Sequence, residues 1–196
     1  MIDSLLPTFP QSTLRLLSAA FPTHAVHGFD SWRGLPEAWR TAGASFSVNF
    51  TQKGAFDLGG KVPCCFVDNV HLHAGEFDTA LPRFLAEEAA AASQEPPIAL
   101  LHIDCDLYSS TLTVLEHLAR RLRPGSIVIF DELINYPTYR DHELKAAREV
   151  FRRHAICPEP IAVKRPGMLL KRELWSKKEL MPSQQSVAFR IRDTLL

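Results

Sequence analysis

Two apolar runs on either side of an amphipathic segment constrain the fold of this chain more than any other feature. Residues 98–103 form the first run, residues 111–122 have apolar side chains at helical spacing, and residues 126–130 form the second run after the turn Pro124-Gly125. Apolar runs of this length are typical of parallel strands that are buried on both faces. The segment therefore predicts a strand, a right-handed crossover helix and a parallel strand.

The same alternation continues on both sides of this unit. Helices are predicted at residues 12–21, 81–92 and 141–154, and strands at residues 25–29 and 64–72. Weaker strand candidates lie at 161–164 or 168–170 and at 186–192, and the last is expected to pair antiparallel at or near the sheet edge. The chain is long enough for one sizeable core, so we expect a single α/β domain over residues 1–196, doubly wound, with a mostly parallel sheet.

Charge and cysteine content exclude several classes of partner. The chain has 22 Lys plus Arg and 22 Asp plus Glu, so no overall field attracts nucleic acid or an anionic membrane. No apolar stretch approaches the roughly 18 residues that a membrane span needs, and the first ten residues lack a basic leader. The spacing of the four cysteines fits neither a zinc motif nor a disulfide framework, which indicates a reduced, cytoplasmic protein.

Four acidic residues follow the two apolar runs directly. Asp104 and Asp106 come after the first run, and Asp131 and Glu132 come after the second. Because the carboxyl ends of parallel strands meet at one edge of a sheet, these carboxylates should lie together, where a divalent cation such as Mg²⁺ relieves their repulsion. The alternative is that one carboxylate caps the next helix while the others face water.

Three other polar residues are candidates for the same edge of the sheet. Asp30 and Ser31 follow the strand at 25–29, where an acid typically accepts hydrogen bonds from the ribose of a nucleotide cofactor. A turn-initiating role for Asp30 is nearly as well supported. His142 stands just beyond the acidic pair as a candidate general base, and its alternative is an ordinary position in the first turn of a helix.

Several segments together resemble the macrocin O-methyltransferase family. They are residues 26–37 (VHGFDSWRGLPE), 53–56 (KGAF), 101–111 (LHIDCDLYSST), 130–132 (FDE) and 185–191 (QSVAFRI). The chain contains no G-x-S-x-G elbow, phosphate-binding P-loop or H-E-x-x-H helix, so hydrolase and P-loop functions lose their main support. The order and spacing of the matching segments extend the resemblance over most of the chain from about residue 12 onward.

The resemblance implies an enzyme that uses S-adenosylmethionine and a divalent metal to methylate a hydroxyl of a small molecule, such as an antibiotic sugar. It implies Asp104, Asp131 and Glu132 as metal ligands, with Asp106 as a further ligand, and Asp30 as a contact to the cofactor ribose. The family usually has two aspartates where Asp131 and Glu132 stand. The metal would hold the acceptor hydroxyl and lower its pKa, so Asp104 is also expected to be catalytic.

The start of the chain departs from this family. Its first strand and glycine-rich cofactor loop are expected just before the helix at 12–21, but residues 1–11 contain two prolines and no glycine. The sequence therefore predicts a Rossmann-like fold that lacks these two features. Two main functions stay open: an active O-methyltransferase, or a truncated, catalytically inactive relative that binds a metal or a partner. A metal-dependent sugar- or phosphate-binding module is a weaker third option. An exposed sheet edge also favours self-association into a homo-oligomer.

Overall fold

A computed structural model describes residues 12–39, 52–63, 68–91, 95–163 and 185–193 of the chain. Its helices and strands alternate as predicted, and within these ranges no helix is both long and apolar enough to cross a bilayer. In chain order the elements are α1 (Ser12–Ala20), β1 (Val26–Asp30), β2 (Val70–Ala74), α2 (Phe77–Ala91), β3 (Leu100–Ile103), α3 (Tyr108–Leu118), β4 (Ile127–Phe130), α4 (Glu143–Arg153), β5 (Cys157–Val163) and β6 (Val187–Arg192).

The strands form two sheets. β1 pairs in parallel with β2, and β3 pairs in parallel with β4. β6 lies between β4 and β5 and runs antiparallel to both, which gives the order β3-β4-β6-β5. The mixed α/β architecture and the antiparallel last strand are thus confirmed, with β6 one position inside the sheet edge. Residues 1–11, where the first strand of the family was expected, lie outside the described ranges.

One hydrophobic core connects the two sheets. Phe29 of β1 belongs to the same buried cluster as Leu101 of β3 and Phe130 of β4. Phe84 of α2 is part of this cluster, and helices α3 and α4 also contribute to it. Helix α1 packs elsewhere, because its Leu14 contacts a smaller cluster around Val26 on the other face of β1. Parallel strands covered by helices on both faces are the arrangement that the apolar runs predicted.

Two helices begin earlier than the sequence predicted. α2 begins at Phe77 instead of residue 81, because the Glu76 carbonyl accepts the Ala80 N–H (2.8 Å) and opens the first turn. Pro82 lies within this helix with its ring exposed. α3 begins at Tyr108 instead of residue 111 and ends at Leu118, where a 3₁₀ turn (Ala119–Arg121) replaces its predicted last residues.

The outer strand β5 begins earlier than either of the weaker candidates. It starts at Cys157 and includes Pro158 and Pro160, which an edge strand tolerates because one of its sides has no ladder partner among the described strands. The candidate at 168–170 lies outside the described residues, as do residues 64–67 of the predicted second strand. The described part of that strand runs from Val70 to Ala74.

Three histidines pack together on the β1–β2 pair under α2. The Nδ1 atom of His27 lies 3.0 Å from Nε2 of His73, and the rings of His27 and His71 stack at 5.2 Å between centroids. Phe84 of α2 lies 4.7 Å from His27 and 4.9 Å from His73, again between ring centroids. Burial, together with the neighbouring imidazoles, lowers the pKa of His27 to about 3. Burial also lowers the pKa of His73.

These histidines should make the protein lose stability in acid. An unfolded His27 binds its proton near pH 6.5, whereas the folded one does so only near pH 3, so the free energy of unfolding falls as the pH drops from 6.5 towards 3. Because His27 is half exposed, we expect a loss on the order of 1–2 kcal/mol. Denaturant unfolding at pH 7 and pH 4.5 measures it. His27→Gln should reduce this pH dependence and His24→Gln, at an exposed site, should not; equal slopes for the two variants would contradict the assignment.

Candidate metal and cofactor site

Three carboxylates meet where β3 and β4 end. Ile103 pairs with Phe130 in the parallel register, so the residues that follow the two strands emerge side by side. One oxygen atom from each of Asp104, Asp106 and Glu132 lies within 4.8 Å of the others. The structure thus brings together three of the four acids that the sequence singled out.

A tight turn aims Asp106 into this group. Asp106 has a φ of +62°, a left-handed conformation that aspartate adopts more readily than most residues. The Leu107 N–H donates to the Cys105 carbonyl at 2.6 Å and closes the turn just before α3. Leu107 is the N-cap residue of α3, and its apolar side chain makes no capping hydrogen bond. A capping role for one of the acids stays the alternative to metal binding.

Asp131 stands beside the cluster but outside the group of three. Its Oδ1 atom accepts a hydrogen bond from Ser186 Oγ at 2.7 Å. Ser186 is buried and directly precedes β6, which pairs with β4. The pairing of these two strands therefore holds Asp131 in place from a position 55 residues further along the chain.

The electrostatics of the cluster favour a bound cation. Burial raises the pKa of Glu132 well above its ordinary value, and repulsion from Asp104, Asp106 and Asp131 raises it further. Within the described residues, the Oε2 atom of Glu132 is enclosed and has no hydrogen-bond partner. A proton or a metal ion relieves the charge repulsion among these carboxylates. A donor set made only of oxygen atoms suits Mg²⁺, Mn²⁺ or Ca²⁺.

Glu143 is a fifth acid at this site, and it is not among the site residues that the sequence predicted. It is the first residue of α4 and is fully buried. Its Oε1 atom accepts the Cys105 N–H at 3.4 Å and its Oε2 atom accepts the Glu132 N–H at 3.3 Å. The carboxyl group thereby connects the two loops that hold the cluster. Burial, and next the charge of Asp106, raise the pKa of Glu143.

His142, the predicted general base, is the N-cap residue of α4. It is half-buried, and its ring centroid lies 6.1 Å from that of Tyr136. It directly precedes Glu143, whose carboxyl group connects the two loops. The structure thus locates His142 at the same end of the fold as the carboxylates, and its role as a base stays a prediction.

A cavity of about 50 Å³ lies between the carboxyl ends of β1 and β3. Asp30 and Ser31 line it from β1, and Asp106 lines it from the carboxylate cluster. Phe56 and Phe77 contribute apolar walls. The position agrees with the rule that open α/β sheets bind ligands beyond the carboxyl ends of their strands.

Asp30 and Ser31 both shape the loop that follows β1. The Oδ1 atom of Asp30 accepts the Trp32 N–H at 2.7 Å, and Ser31 Oγ accepts the Arg33 N–H at 3.2 Å. The predicted turn-initiating role of Asp30 is thus present, and the residue also faces the cavity. Contact of either side chain with a cofactor remains a prediction.

Gly34 gives this loop a position that no other residue fits. Its φ is +73°, and a Cβ atom would lie 2.2 Å from the Ala55 carbonyl oxygen. That oxygen also accepts the Leu35 N–H at 2.9 Å, so the neighbouring backbone is fixed. Gly34 lines the cavity, and the close approach of residues 34 and 55 sets its wall.

Replacing Gly34 with alanine should destabilise the protein through this clash. We expect a loss on the order of 2–3 kcal/mol, combining an unfavourable φ with backbone contact. Gly59→Ala is the matched control, because Gly59 has a φ of +66° and nothing within 4 Å of the added Cβ. The control should lose only about 1 kcal/mol. Chemical denaturation measures both variants, and equal losses would show that the contact with residue 55 is unimportant.

Comparison with known proteins identifies the family to which this fold belongs. A family model described as a methyltransferase domain matches residues 11–133. Mycinamicin III 3''-O-methyltransferase of Micromonospora griseorubida is 29% identical over 147 residues, which cover 75% of this chain and 47% of that protein. The chain therefore spans about half the length of this curated relative.

Two solved structures have a similar fold. CalS11, a calicheamicin methyltransferase, superposes with a TM-score of 0.60 at 24% identity, over 97% of this chain and 70% of its own. The O-methyltransferase NovP superposes with a TM-score of 0.58 at 17% identity, with the same coverage. The family model, the curated relative and these two folds agree with the segments that first indicated the family. The chain belongs to the methyltransferase domain family, and its resemblance to the macrocin-type, class I S-adenosylmethionine-dependent O-methyltransferases is confirmed.

Proposed function

We propose that this chain is an S-adenosylmethionine-dependent O-methyltransferase domain that uses a divalent metal, Mg²⁺ or a similar ion, to methylate a hydroxyl of a small molecule. The observation that carries this proposal is the convergence of the Asp104, Asp106 and Glu132 carboxylates next to a cavity that Asp30 lines. One edge of the fold thus combines acids suited to a metal with an acid suited to a ribose.

The residues present fit a hard divalent cation. Asp104, Asp106 and Glu132 offer converging oxygen atoms, and the enclosed Oε2 atom of Glu132 has no protein partner within the described residues. Asp131 is a further proposed ligand, because it follows β4 directly and precedes Glu132 in the loop that carries the cluster. Glu132 stands where the family usually has its second aspartate, and a glutamate there keeps the negative charge and the oxygen donor atoms.

The cavity beside the cluster fits part of the proposed cofactor. Asp30 would accept hydrogen bonds from ribose hydroxyls, and Ser31 supplies a second polar group at the same place. Phe56 and Phe77 offer apolar surfaces to a flat ring. The Glu37 carboxylate accepts a hydrogen bond from Ser109 Oγ at 2.5 Å and ties the loop after β1 to the start of α3.

The chemistry follows from positioning and charge. When bound, the metal supplies positive charge that lowers the pKa of the acceptor hydroxyl, and the cofactor supplies the methyl group. Asp104, Asp106 and Glu132 fix the place of that charge, while Glu143 holds the two loops that carry them. His142 is the proposed acceptor of the hydroxyl proton.

The proposed acceptor is a sugar hydroxyl of a natural product. The name of the Micromonospora relative, which methylates mycinamicin III at a 3'' oxygen, supports this choice. The second candidate function is a catalytically inactive relative that binds a metal or a partner. It is supported by the carboxylate cluster, which can hold a metal ion without any cofactor.

Calorimetric titration with S-adenosylmethionine, with and without Mg²⁺, separates the two candidates. We expect micromolar cofactor binding and, with Mg²⁺, methyl transfer to a panel of deoxysugar acceptors. Asp30→Asn should weaken cofactor binding about tenfold or more while keeping its turn. Asp57→Asn is the control, because Asp57 accepts the Gly59 N–H in a similar turn away from the cavity. Folded protein that binds Mg²⁺ but no cofactor would favour the inactive relative.

A further inference from the structure

Three imidazoles outside the carboxylate cluster lie on one face of the β1–β2 pair. His71 and His73 are two residues apart on β2, so the alternation of a strand puts both side chains on the same face. The parallel register places His27 of β1 directly opposite His71. Two histidines separated by one residue on a strand, with a third on the neighbouring strand, can bring three nitrogen donors to one point. We call these three residues the histidine trio.

Two nitrogen atoms of the trio already have the spacing that a shared metal ion requires. Nδ1 of His27 lies 3.0 Å from Nε2 of His73. Bonds between zinc and an imidazole nitrogen are about 2.0–2.1 Å long, so two such nitrogens on one ion lie roughly 3–3.4 Å apart. A hydrogen bond between the two rings has a similar length, so titration with a metal must separate the two roles.

His71 supplies the third donor after a rotation of its side chain. Its ring stacks on that of His27, with 5.2 Å between the centroids and 25° between the planes, so these two rings lie side by side. His71 is exposed, and its two side-chain torsions can turn a nitrogen atom towards the other two rings. The rings of His27 and His73 are held by Phe84, whose centroid lies 4.7 Å and 4.9 Å from theirs. Two donors are therefore fixed in place and the third is adjustable.

The charge state of the two fixed imidazoles suits a metal ligand. Burial lowers the pKa of His27 to about 3 and also lowers the pKa of His73, so at neutral pH protons compete little with a metal ion for their nitrogen atoms. The negative charge of Glu87 on α2 acts on His73 and favours a cation beside it. The positive charges of Arg83 and Arg121 act against a cation, but each is already bonded to an oxygen acceptor, at 3.1 Å and 2.6 Å.

We propose that His27, His71 and His73 together bind one transition-metal ion, Zn²⁺ in the first place, across β1 and β2. Imidazole nitrogen suits Zn²⁺, Cu²⁺ and Ni²⁺, whereas Mg²⁺ prefers oxygen, so the histidine trio and the carboxylate cluster select different ions. Three protein ligands leave a fourth tetrahedral position for water. Because the ion joins residues of two strands, it stabilises the β1–β2 pair. The site does not depend on the proposed methyltransferase activity.

Calorimetric titration with Zn²⁺ in an excess of Mg²⁺ tests the site, because Mg²⁺ competes for carboxylate oxygens and not for imidazoles. We expect one Zn²⁺ ion to bind per chain with micromolar affinity or better, and the melting temperature to rise in its presence. Co²⁺ in place of Zn²⁺ reports the geometry. A tetrahedral ion with nitrogen ligands should absorb visible light strongly, whereas an octahedral ion held by oxygen atoms absorbs weakly.

Variants assign the ion to the histidine trio. His71→Gln and His73→Gln each remove one ligand and should weaken Zn²⁺ binding at least about tenfold. Because His71 is exposed, its replacement should leave the fold intact by circular dichroism. His24→Gln is the control, because His24 is exposed and lies outside the trio. Glu132→Gln should keep both Zn²⁺ binding and the Co²⁺ absorption.

Three results would overturn the inference. They are no Zn²⁺ binding in excess Mg²⁺, unchanged Zn²⁺ affinity in the folded His71→Gln variant, and loss of the Co²⁺ absorption in Glu132→Gln. The last result would assign the ion to the carboxylate cluster. Loss of the Mg²⁺ response alone would concern the proposed function and leave the histidine trio in place.

Discussion

Replacing Glu132 with glutamine should stabilise the metal-free protein and abolish its response to Mg²⁺. Burial, and next the charges of Asp104 and Asp106, raise the pKa of the Glu132 carboxyl well above its ordinary value. A neutral amide of the same shape removes that repulsion, and we expect a gain on the order of 1–2 kcal/mol at neutral pH. The native protein should instead gain about 2.7 kcal/mol from Mg²⁺ at about 100 times its dissociation constant.

Thermal unfolding with and without Mg²⁺ measures both effects. In a chain of this size, 1 kcal/mol shifts the melting temperature by about 2–4 °C. Glu159→Gln is the control, because Glu159 forms an exposed pair with Arg192 and should leave the Mg²⁺ shift intact. A Glu132→Gln variant that keeps the full shift would remove Glu132 from the proposed metal site.

Replacing Phe84 with alanine should remove about 3–5 kcal/mol from the free energy of unfolding. Phe84 is 8% exposed, and its ring lies 5.2 Å from that of Phe29 and 4.7 Å from that of His27. It lines a cleft of about 310 Å³ between β1 and β3 and connects α2 to β1 in the shared core.

Urea unfolding of this variant gives the loss directly. Phe84→Leu should lose a smaller amount, about 1–2 kcal/mol, because most of the apolar volume remains. Phe21→Ala removes the same ring from another position that lines this cleft, where Phe21 is 37% exposed, and should lose less than about 1 kcal/mol. Similar losses at positions 21 and 84 would mean that Phe84 does not join α2 to the sheet as the structure indicates.

The sequence predicted the two central strands and the position of the carboxylates that follow them. The apolar runs at 98–103 and 126–130 identified β3 and β4, and the register of parallel strands then placed Asp104, Asp106 and Glu132 at one edge. The last strand was also predicted with its antiparallel direction. These features depend on residues near one another in the chain and on the carboxyl-end rule of parallel sheets.

The remaining features of the site depend on contacts between distant segments. Glu143 was not among the predicted site residues, but the direction of α4 buries it against Cys105 and Glu132. Ser186 binds Asp131 from 55 residues away, and no local pattern marks that pair. The early start of α2 depended on the Glu76 carbonyl, which propensity alone does not identify.

The two prolines of β5 affect how this protein behaves at high concentration. Pro158 and Pro160 are two residues apart, so both nitrogens point to the same side of the strand, away from β6, where the described part of the chain places no further strand. That side lacks two of the N–H groups through which molecules could add to one another edge to edge into fibrils. Ile161 and Val163 next to them are 42% and 46% exposed, so the prolines protect an edge whose apolar side chains would otherwise promote aggregation.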